Sequence, residues 1–104
     1  MAPTELAQRL AAPAPPQLLD VREPWEHALA ALPGSRLIPL GELPERLAEL
    51  EDWRTADVVV YCHHGVRSAQ AIGFLRGQGF SQLQNLSGGI DRWSAEVDSS
   101  TPRY

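Results

Sequence analysis

V-V-V-Y-C-H-H-G-V-R-S, residues 58–68, holds the clearest indication of the fold in this sequence. Its β-branched apolar start, bounded by Asp57, predicts a buried central strand. The following S-A-Q-A-I-G-F-L-R-G predicts a helix that begins close to Ser68, turns Ile72 and Leu75 inward and ends near Gly77 or Gly79. A strand, a short loop and a helix in this order are the repeating unit of an α/β sheet.

The same alternation continues on both sides of this stretch. Strands are predicted at 17–21, 37–38 and 83–86. One helix is predicted at 5–10 with Thr4 as its cap, and a second begins at Pro24. A third has one apolar face made of Leu40, Leu43, Leu47 and Leu50, and S-G-G-I-D-R-W starts the last one. Strands that alternate with helices predict a mostly parallel sheet with helices on both faces. The chain of 104 residues is expected to form one domain, 1–104, with a core of about 4–93 and a polar C-terminal tail, 94–104. The last part of this tail, D-S-S-T-P-R-Y, is expected to be loose.

Composition excludes several classes of protein. The net charge of −4 argues against nucleic-acid binding, which needs a basic face. No apolar stretch has the length of a membrane span, and the N-terminus lacks the apolar core of a signal peptide. A lone cysteine cannot form a disulfide within the chain. We therefore expect a cytoplasmic monomer that binds neither nucleic acid nor membrane.

The cysteine follows the central strand, at the end of a parallel sheet where ligands bind. Gly65 permits a tight loop whose N–H groups can face an anion, and the next helix adds partial positive charge. A fall in the thiol pKa from about 8.5 to about 7 needs roughly 2 kcal/mol, more than a helix terminus usually provides. The loop N–H groups or Arg67 must contribute the rest if Cys62 is a nucleophile. The alternative is a structural cysteine buried at a strand end.

Four motifs resemble those of rhodanese-like sulfurtransferases. Residues 62–68 match the active-site loop C-x-x-G-x-R-S, and residues 19–26, L-D-V-R-E-P-W-E, match an upstream signature. P-G-S and I-P at 33–39 and L-S-G-G-I-D-R-W at 86–93 follow in the family's order, so the resemblance covers about residues 4–93. It implies an α/β rhodanese-like fold with a five-stranded, mostly parallel sheet.

The resemblance also implies a reaction. The Cys62 thiolate would take the outer sulfur of thiosulfate or of a persulfide donor, and an acceptor would remove it from the resulting Cys62 persulfide. No metal or organic cofactor is implied. The partners expected are a small anionic sulfur donor and a sulfur-acceptor protein.

Other residues of the loop and the first motif have predicted roles. Adjacent residues rarely bind one metal, so His63 and His64 are expected to line the pocket and attract an anionic donor, or to lie in solvent. Gly65, Val66 and Arg67 complete the loop. Arg67 either contacts the donor or, as we favour, turns inward to pair with Asp20. Arg22 faces the site or pairs with Glu26, and Ser68 caps the helix.

Two other functions remain open. A cysteine phosphatase of related architecture has five residues between its cysteine and arginine, whereas Cys62 and Arg67 have four between them. A binding module, or a carrier that delivers sulfur to one partner enzyme, would use the same fold. Cys62 and the intact glycine and arginine of the loop argue against a module that has lost its chemistry.

Overall fold

The computed structural model describes residues 1–104 and contains five helices and four strands. The strands are β1 (Gln17–Asp20), β2 (Arg36–Leu37), β3 (Val58–Tyr61) and β4 (Leu83–Asn85). The helices are α1 (Pro3–Leu10), α2 (Pro24–Leu29), α3 (Leu43–Arg46), α4 (Val66–Gly77) and α5 (Gly89–Glu96). The predicted alternation of strands and helices is confirmed.

All four strands are parallel, in the order β2-β1-β3-β4. The prediction of five strands is wrong by one. Met1 lies beside the outer edge of β4, where its amino group donates to Asn85 O at 2.7 Å and its carbonyl accepts from Ser87 N at 2.9 Å. Pro3 then starts α1, so the segment that could form a fifth strand is too short to extend.

The central strand β3 is buried on both faces of the sheet. Val58, Val60 and Cys62 pack in one hydrophobic cluster with residues of α3 and α4, such as Leu43 and Leu75. The alternate residues Val59 and Tyr61 pack on the opposite face with α1 and α5, through Leu6 and Trp93. The period-two alternation of the strand therefore supplies both cores, and helices cover both faces as predicted.

The leucine face forms a broken helix instead of a continuous one. Two 3₁₀ segments, Leu40–Glu42 and Leu47–Trp53, flank the single turn of α3. Leu43 and Leu50 are buried, so the predicted apolar face does point inward. Pro44 lies in the first turn of α3, where its missing N–H costs no helical hydrogen bond. None of the helices has both the length and the apolar character needed to cross a bilayer.

The C-terminal segment is not loose, contrary to the prediction. The α5 helix continues to Glu96, and the chain after it returns toward the end of β1. There the Tyr104 hydroxyl accepts a hydrogen bond from Arg22 at 2.7 Å and donates to Glu26 at 2.6 Å. These contacts fix the last residue of the sequence beside the Cys62 loop, which the polar composition of the segment did not indicate.

Candidate active site

Cys62 lies immediately beyond the carboxyl end of β3, with its side chain almost completely buried. Three groups surround the sulfur within hydrogen-bonding distance. Gly65 N lies 3.1 Å from Sγ, Ser68 N 3.4 Å and Ser68 Oγ 3.3 Å. Such a cluster of N–H groups suits an anion, as the sequence predicted for this loop.

The start of α5 fixes the backbone of the Cys62 loop. Ile90 N donates to Cys62 O at 2.9 Å, and Asp91 N donates to His63 O at 3.1 Å. The first N–H groups of the helix thereby find partners in the carbonyls of the loop. Gly65, the N-cap residue of α4, has φ +110°, which only glycine adopts without strain.

These hydrogen bonds decide the acidity of the thiol. Burial by itself raises the pKa of Cys62, but hydrogen bonds from the Ser68 hydroxyl and from the N–H groups of Ser68, Gly65 and His64 outweigh it. The pKa of Cys62 is therefore lower than that of an ordinary cysteine. The two largest of these contributions come from Ser68 in the first turn of α4, and the N–H groups of Gly65 and His64 in the loop add to them.

Gly89 is the residue that lets α5 approach the loop so closely. A Cβ at this position would lie 2.3 Å from His63 O and 2.5 Å from Cys62 O, and the backbone has φ +63°. We expect Gly89→Ala to lower the free energy of unfolding by about 2–4 kcal/mol, through left-handed strain and the backbone clash. Displacement of the loop should also lower any activity that depends on the Cys62 thiolate, by about 100-fold.

Urea unfolding and steady-state activity measure these two effects. Gly73→Ala in α4 is the matched control, because a Cβ there meets nothing within 4 Å. That substitution should leave activity unchanged and raise stability by up to about 1 kcal/mol. Equal behaviour of the two alanine variants would contradict the role given to Gly89.

Arg67 does not pair with Asp20, so the favoured prediction is wrong. Its two terminal nitrogens donate to the carboxylate of Glu26, at 2.7 and 3.0 Å. Asp20 is fully buried and its carboxylate is already bound, by Arg22 at 2.8 and 2.9 Å and by His27 at 2.8 Å. Both carboxylate oxygens of Asp20 therefore already have partners other than Arg67.

Arg22 is a fully buried cation whose hydrogen bonds connect several elements beside the Cys62 site. Besides Asp20, its guanidinium donates to the carbonyl of Glu26 at 3.4 Å, the carbonyl of Ala30 at 2.5 Å and the Tyr104 hydroxyl at 2.7 Å. The predicted salt bridge to the Glu26 carboxylate is absent. Burial opposes the charge of Arg22, but the hydrogen bonds to Asp20 and Tyr104 and the charge of Asp20 raise the pKa of Arg22 above its ordinary value. Arg22 therefore joins β1, α2 and the C-terminal residue.

The histidines of the loop differ in environment. The His63 ring stacks on Tyr104, with centroids 3.9 Å apart and an interplanar angle of 6°, and its Nε2 is buried without a hydrogen-bond partner. Burial, together with the neighbouring His64, lowers the pKa of His63 and so disfavours the charged form of its ring. His64 is exposed, and its Nδ1 lies 3.9 Å from Asp91. The environment of His63 therefore opposes the positive charge that the sequence suggested for attracting a donor.

Val66 and Ser68 also occupy places that the sequence did not predict in full. Val66 is 69% exposed on the outer side of the loop. Ser68 lies inside the first turn of α4, whose N-cap is Gly65, so the predicted capping role is wrong. Its hydroxyl points to the sulfur of Cys62 and to Asn85.

Four further residues complete the site: Glu26, Tyr104, Asn85 and Gly89. Of these, Glu26 and Gly89 belong to the motifs at residues 19–26 and 86–93, whereas no motif indicated Asn85 or Tyr104.

Glu26 predicts a pH dependence of stability. The carboxylate is buried and bound by Arg67 and Tyr104; the hydrogen bonds from Arg67 are the largest cause that lowers its pKa, from 4.5 to about 2. A lower pKa in the folded state means that the unfolded state binds more protons in this window. Stability from Glu26 is therefore complete above about pH 5 and is lost as the pH falls toward 2.

The matched comparison is with Glu26→Gln. At pH 7 the natural protein should be more stable than this variant by about 3 kcal/mol, and the difference should disappear near pH 2. Urea unfolding across this range measures it. A difference that stays constant with pH would contradict the assigned ion pair.

Comparison with known families and structures shows which family this chain belongs to. The model of the rhodanese-like domain family matches residues 2–96. The chain belongs to the rhodanese-like family. The rhodanese-like protein of known structure from Staphylococcus aureus is 28% identical, with a TM-score of 0.84, and the match covers 100% of this chain and 96% of that one. The α/β fold inferred from the motifs is thus confirmed.

Three relatives show the range of proteins that contain this domain. A sulfurtransferase of Allochromatium vinosum is 40% identical, with 86% of this chain and 81% of the relative covered. The thiosulfate sulfurtransferase GlpE of Ectopseudomonas mendocina is 34% identical, with 81% and 75% covered. The chloroplastic rhodanese-like/PpiC domain-containing protein 12 of Arabidopsis thaliana is 40% identical over 85% of this chain. The chain spans only 30% of that larger protein.

Proposed function

We propose that this rhodanese-like protein is a sulfurtransferase whose nucleophile is Cys62 and whose intermediate is a Cys62 persulfide. The observation that carries the proposal is the convergence of Gly65 N, Ser68 N and Ser68 Oγ on one buried sulfur, at 3.1–3.4 Å. These donors lower the pKa of the thiol and so favour the nucleophilic thiolate at neutral pH. The same donors face the place where the negative charge of a persulfide would form.

The reaction balances without an oxidant, a reductant or a cofactor. The Cys62 thiolate attacks the outer sulfur of thiosulfate, the sulfur–sulfur bond of the donor breaks, and sulfite leaves with the bonding electron pair. The outer sulfur remains on Cys62 as a persulfide anion. A nucleophilic acceptor, cyanide in the laboratory or a thiolate in a partner protein, then attacks that sulfur, and Cys62 leaves again as a thiolate.

The names of the relatives support transfer of sulfur, and one of them names thiosulfate. A second candidate is a carrier that passes persulfide sulfur to one partner protein. The putative sulfur carrier protein YrkF of Bacillus subtilis, 36% identical over 78% of this chain, favours it. Both candidates need the Cys62 persulfide and differ only in the acceptor.

A phosphatase reaction fits the site less well. Such an enzyme has five residues between its cysteine and arginine, whereas Cys62 and Arg67 have four between them. In addition, the Glu26 carboxylate already occupies one N–H of each terminal nitrogen of Arg67. We further propose that the protein is a cytoplasmic monomer. A reducing compartment such as the cytoplasm would keep its single thiol available.

Steady-state kinetics test the proposed reaction. Thiocyanate formation from thiosulfate and cyanide should follow ping-pong kinetics, with parallel double-reciprocal lines, because sulfite leaves before the acceptor binds. An aryl phosphate serves as the competing substrate. Hydrolysis of the aryl phosphate without thiocyanate formation would favour the phosphatase and contradict the proposal.

A further inference from the structure

The side chain of Asn85, at the end of β4, contacts two groups of the Cys62 site. Its Nδ2 donates to Gly65 O at 3.0 Å, and its Oδ1 lies 2.6 Å from Ser68 Oγ. A carbonyl only accepts, so the amide nitrogen must face Gly65 and the amide oxygen must face Ser68. Because that oxygen also only accepts, the Ser68 hydroxyl is the donor of this hydrogen bond.

The Ser68 hydroxyl has one proton and two neighbours that compete for it. When Cys62 is a thiol, its S–H can donate to Ser68 Oγ while the hydroxyl donates to Asn85. When Cys62 is a thiolate, the sulfur only accepts, so the hydroxyl can donate to Sγ, 3.3 Å away, only if it turns from Asn85. Stabilisation of the thiolate by the Ser68 hydroxyl therefore costs the hydrogen bond between Ser68 and Asn85.

We propose that Asn85 is a positioning residue for Cys62. The amide oxygen of Asn85 competes with the sulfur for the proton of the Ser68 hydroxyl, and this competition sets how readily the thiol ionises. The inference rests on the proposed function in one respect, that the thiolate of Cys62 is the reacting form. Asn85 acts through Ser68 and does not touch the sulfur itself. It lies outside the loop motif, on the neighbouring strand, so the loop sequence alone does not determine the reactivity of its cysteine.

The groups that carry or change charge near Cys62 are kept constant in the test. They come from the loop, α2, α4, α5 and both chain termini: His63, His64, Glu26, Arg67, Asp91, Tyr104 and the amino group of Met1, which donates to Asn85 O. Arg67 is the cation that interacts with the Cys62 thiolate, and its ion pair with Glu26 does not involve Asn85. Replacement of Asn85 by an apolar residue therefore changes the hydrogen bond to Ser68 without changing these charges.

The experiment measures the rate of Cys62 alkylation by iodoacetamide as a function of pH. With Asn85→Leu, the hydroxyl is free to donate to the sulfur, and the alkylation midpoint should fall by about 0.5–1 pH unit, the equivalent of one hydrogen bond. In the Ser68→Ala background the same substitution should not lower the midpoint, because the competing proton is gone. An equal fall in both backgrounds, or no fall in either, would overturn the proposal.

A second variant keeps the test independent of any loss of structure in Asn85→Leu. Asn85→Asp retains the acceptor oxygen and strengthens it with a negative charge, so it should raise the alkylation midpoint more in the natural background than in Ser68→Ala; an equal rise in both backgrounds would count against Asn85. Ala69 N also donates to Gly65 O at 3.3 Å, so this carbonyl has a second donor that neither substitution removes. Alkylation needs no sulfur donor, so this result is independent of whether the protein transfers sulfur.

Discussion

Replacement of Cys62 by serine is expected to abolish sulfur transfer while leaving the fold intact. A serine hydroxyl does not ionise at neutral pH and cannot form a persulfide, so thiocyanate formation should fall by about 10³-fold or more. The change is small in volume, and Gly65 N and Ser68 N can still donate to an oxygen in place of Sγ. We therefore expect the free energy of unfolding to change by no more than about 1 kcal/mol.

Thiosulfate–cyanide kinetics and urea unfolding, made on the same preparation of Cys62→Ser, separate these two effects. Ser68→Ala is the companion variant, because it removes a hydroxyl from the same site but keeps the nucleophile. It should retain measurable activity with a raised alkylation midpoint. A Cys62→Ser protein that is folded and keeps more than about a tenth of the natural rate would show that another group carries the sulfur.

Asp20→Asn is expected to have the largest effect on stability. Asp20 and Arg22 are both completely buried, and their ion pair joins β1 to the start of α2. Removal of the negative charge leaves the Arg22 guanidinium buried with only neutral partners, a change that typically costs about 3–5 kcal/mol. Because Arg22 also binds Tyr104, the C-terminal segment should lose its hold on the Cys62 loop, and activity should fall as well.

The control is an aspartate in a similar bidentate ion pair at the surface. Asp52 binds Arg36 through both oxygens, at 3.0 and 3.2 Å, but its side chain is 63% exposed. Asp52→Asn should cause no measurable loss, because solvent screens the pair. Urea unfolding of the two asparagine variants makes the comparison. If both lose the same stability, the large effect assigned to burial at Asp20 is wrong.

The central part of the fold could be predicted from the sequence because its signals are local. The alternation in Val58–Tyr61 places successive side chains on opposite faces whatever surrounds the strand, and both cores of the protein follow from it. Ile72 and Leu75 lie inward for the same reason on a helical period. The fifth strand was wrong because the resemblance supplied it, while Pro3 in this chain starts a helix at that point.

The partners within the site could not be predicted in the same way. Asp20 and Glu26 are both carboxylates close to Arg22 in the sequence, and only the packed structure shows which of them Arg67 can reach. Tyr104 belongs to a polar segment with no periodicity, so nothing in its neighbourhood indicates that its ring stacks on His63. Contacts of this kind join residues far apart in the chain, and tertiary geometry alone selects them.

The mass of the intact, reduced protein after incubation with thiosulfate tests the central claim most directly. We predict a gain of one sulfur atom, which cyanide removes and which Cys62→Ser does not acquire. This result would identify Cys62 as the residue that carries the sulfur. No gain with thiosulfate or with a persulfide donor, or an equal gain in Cys62→Ser, would contradict the Cys62 persulfide.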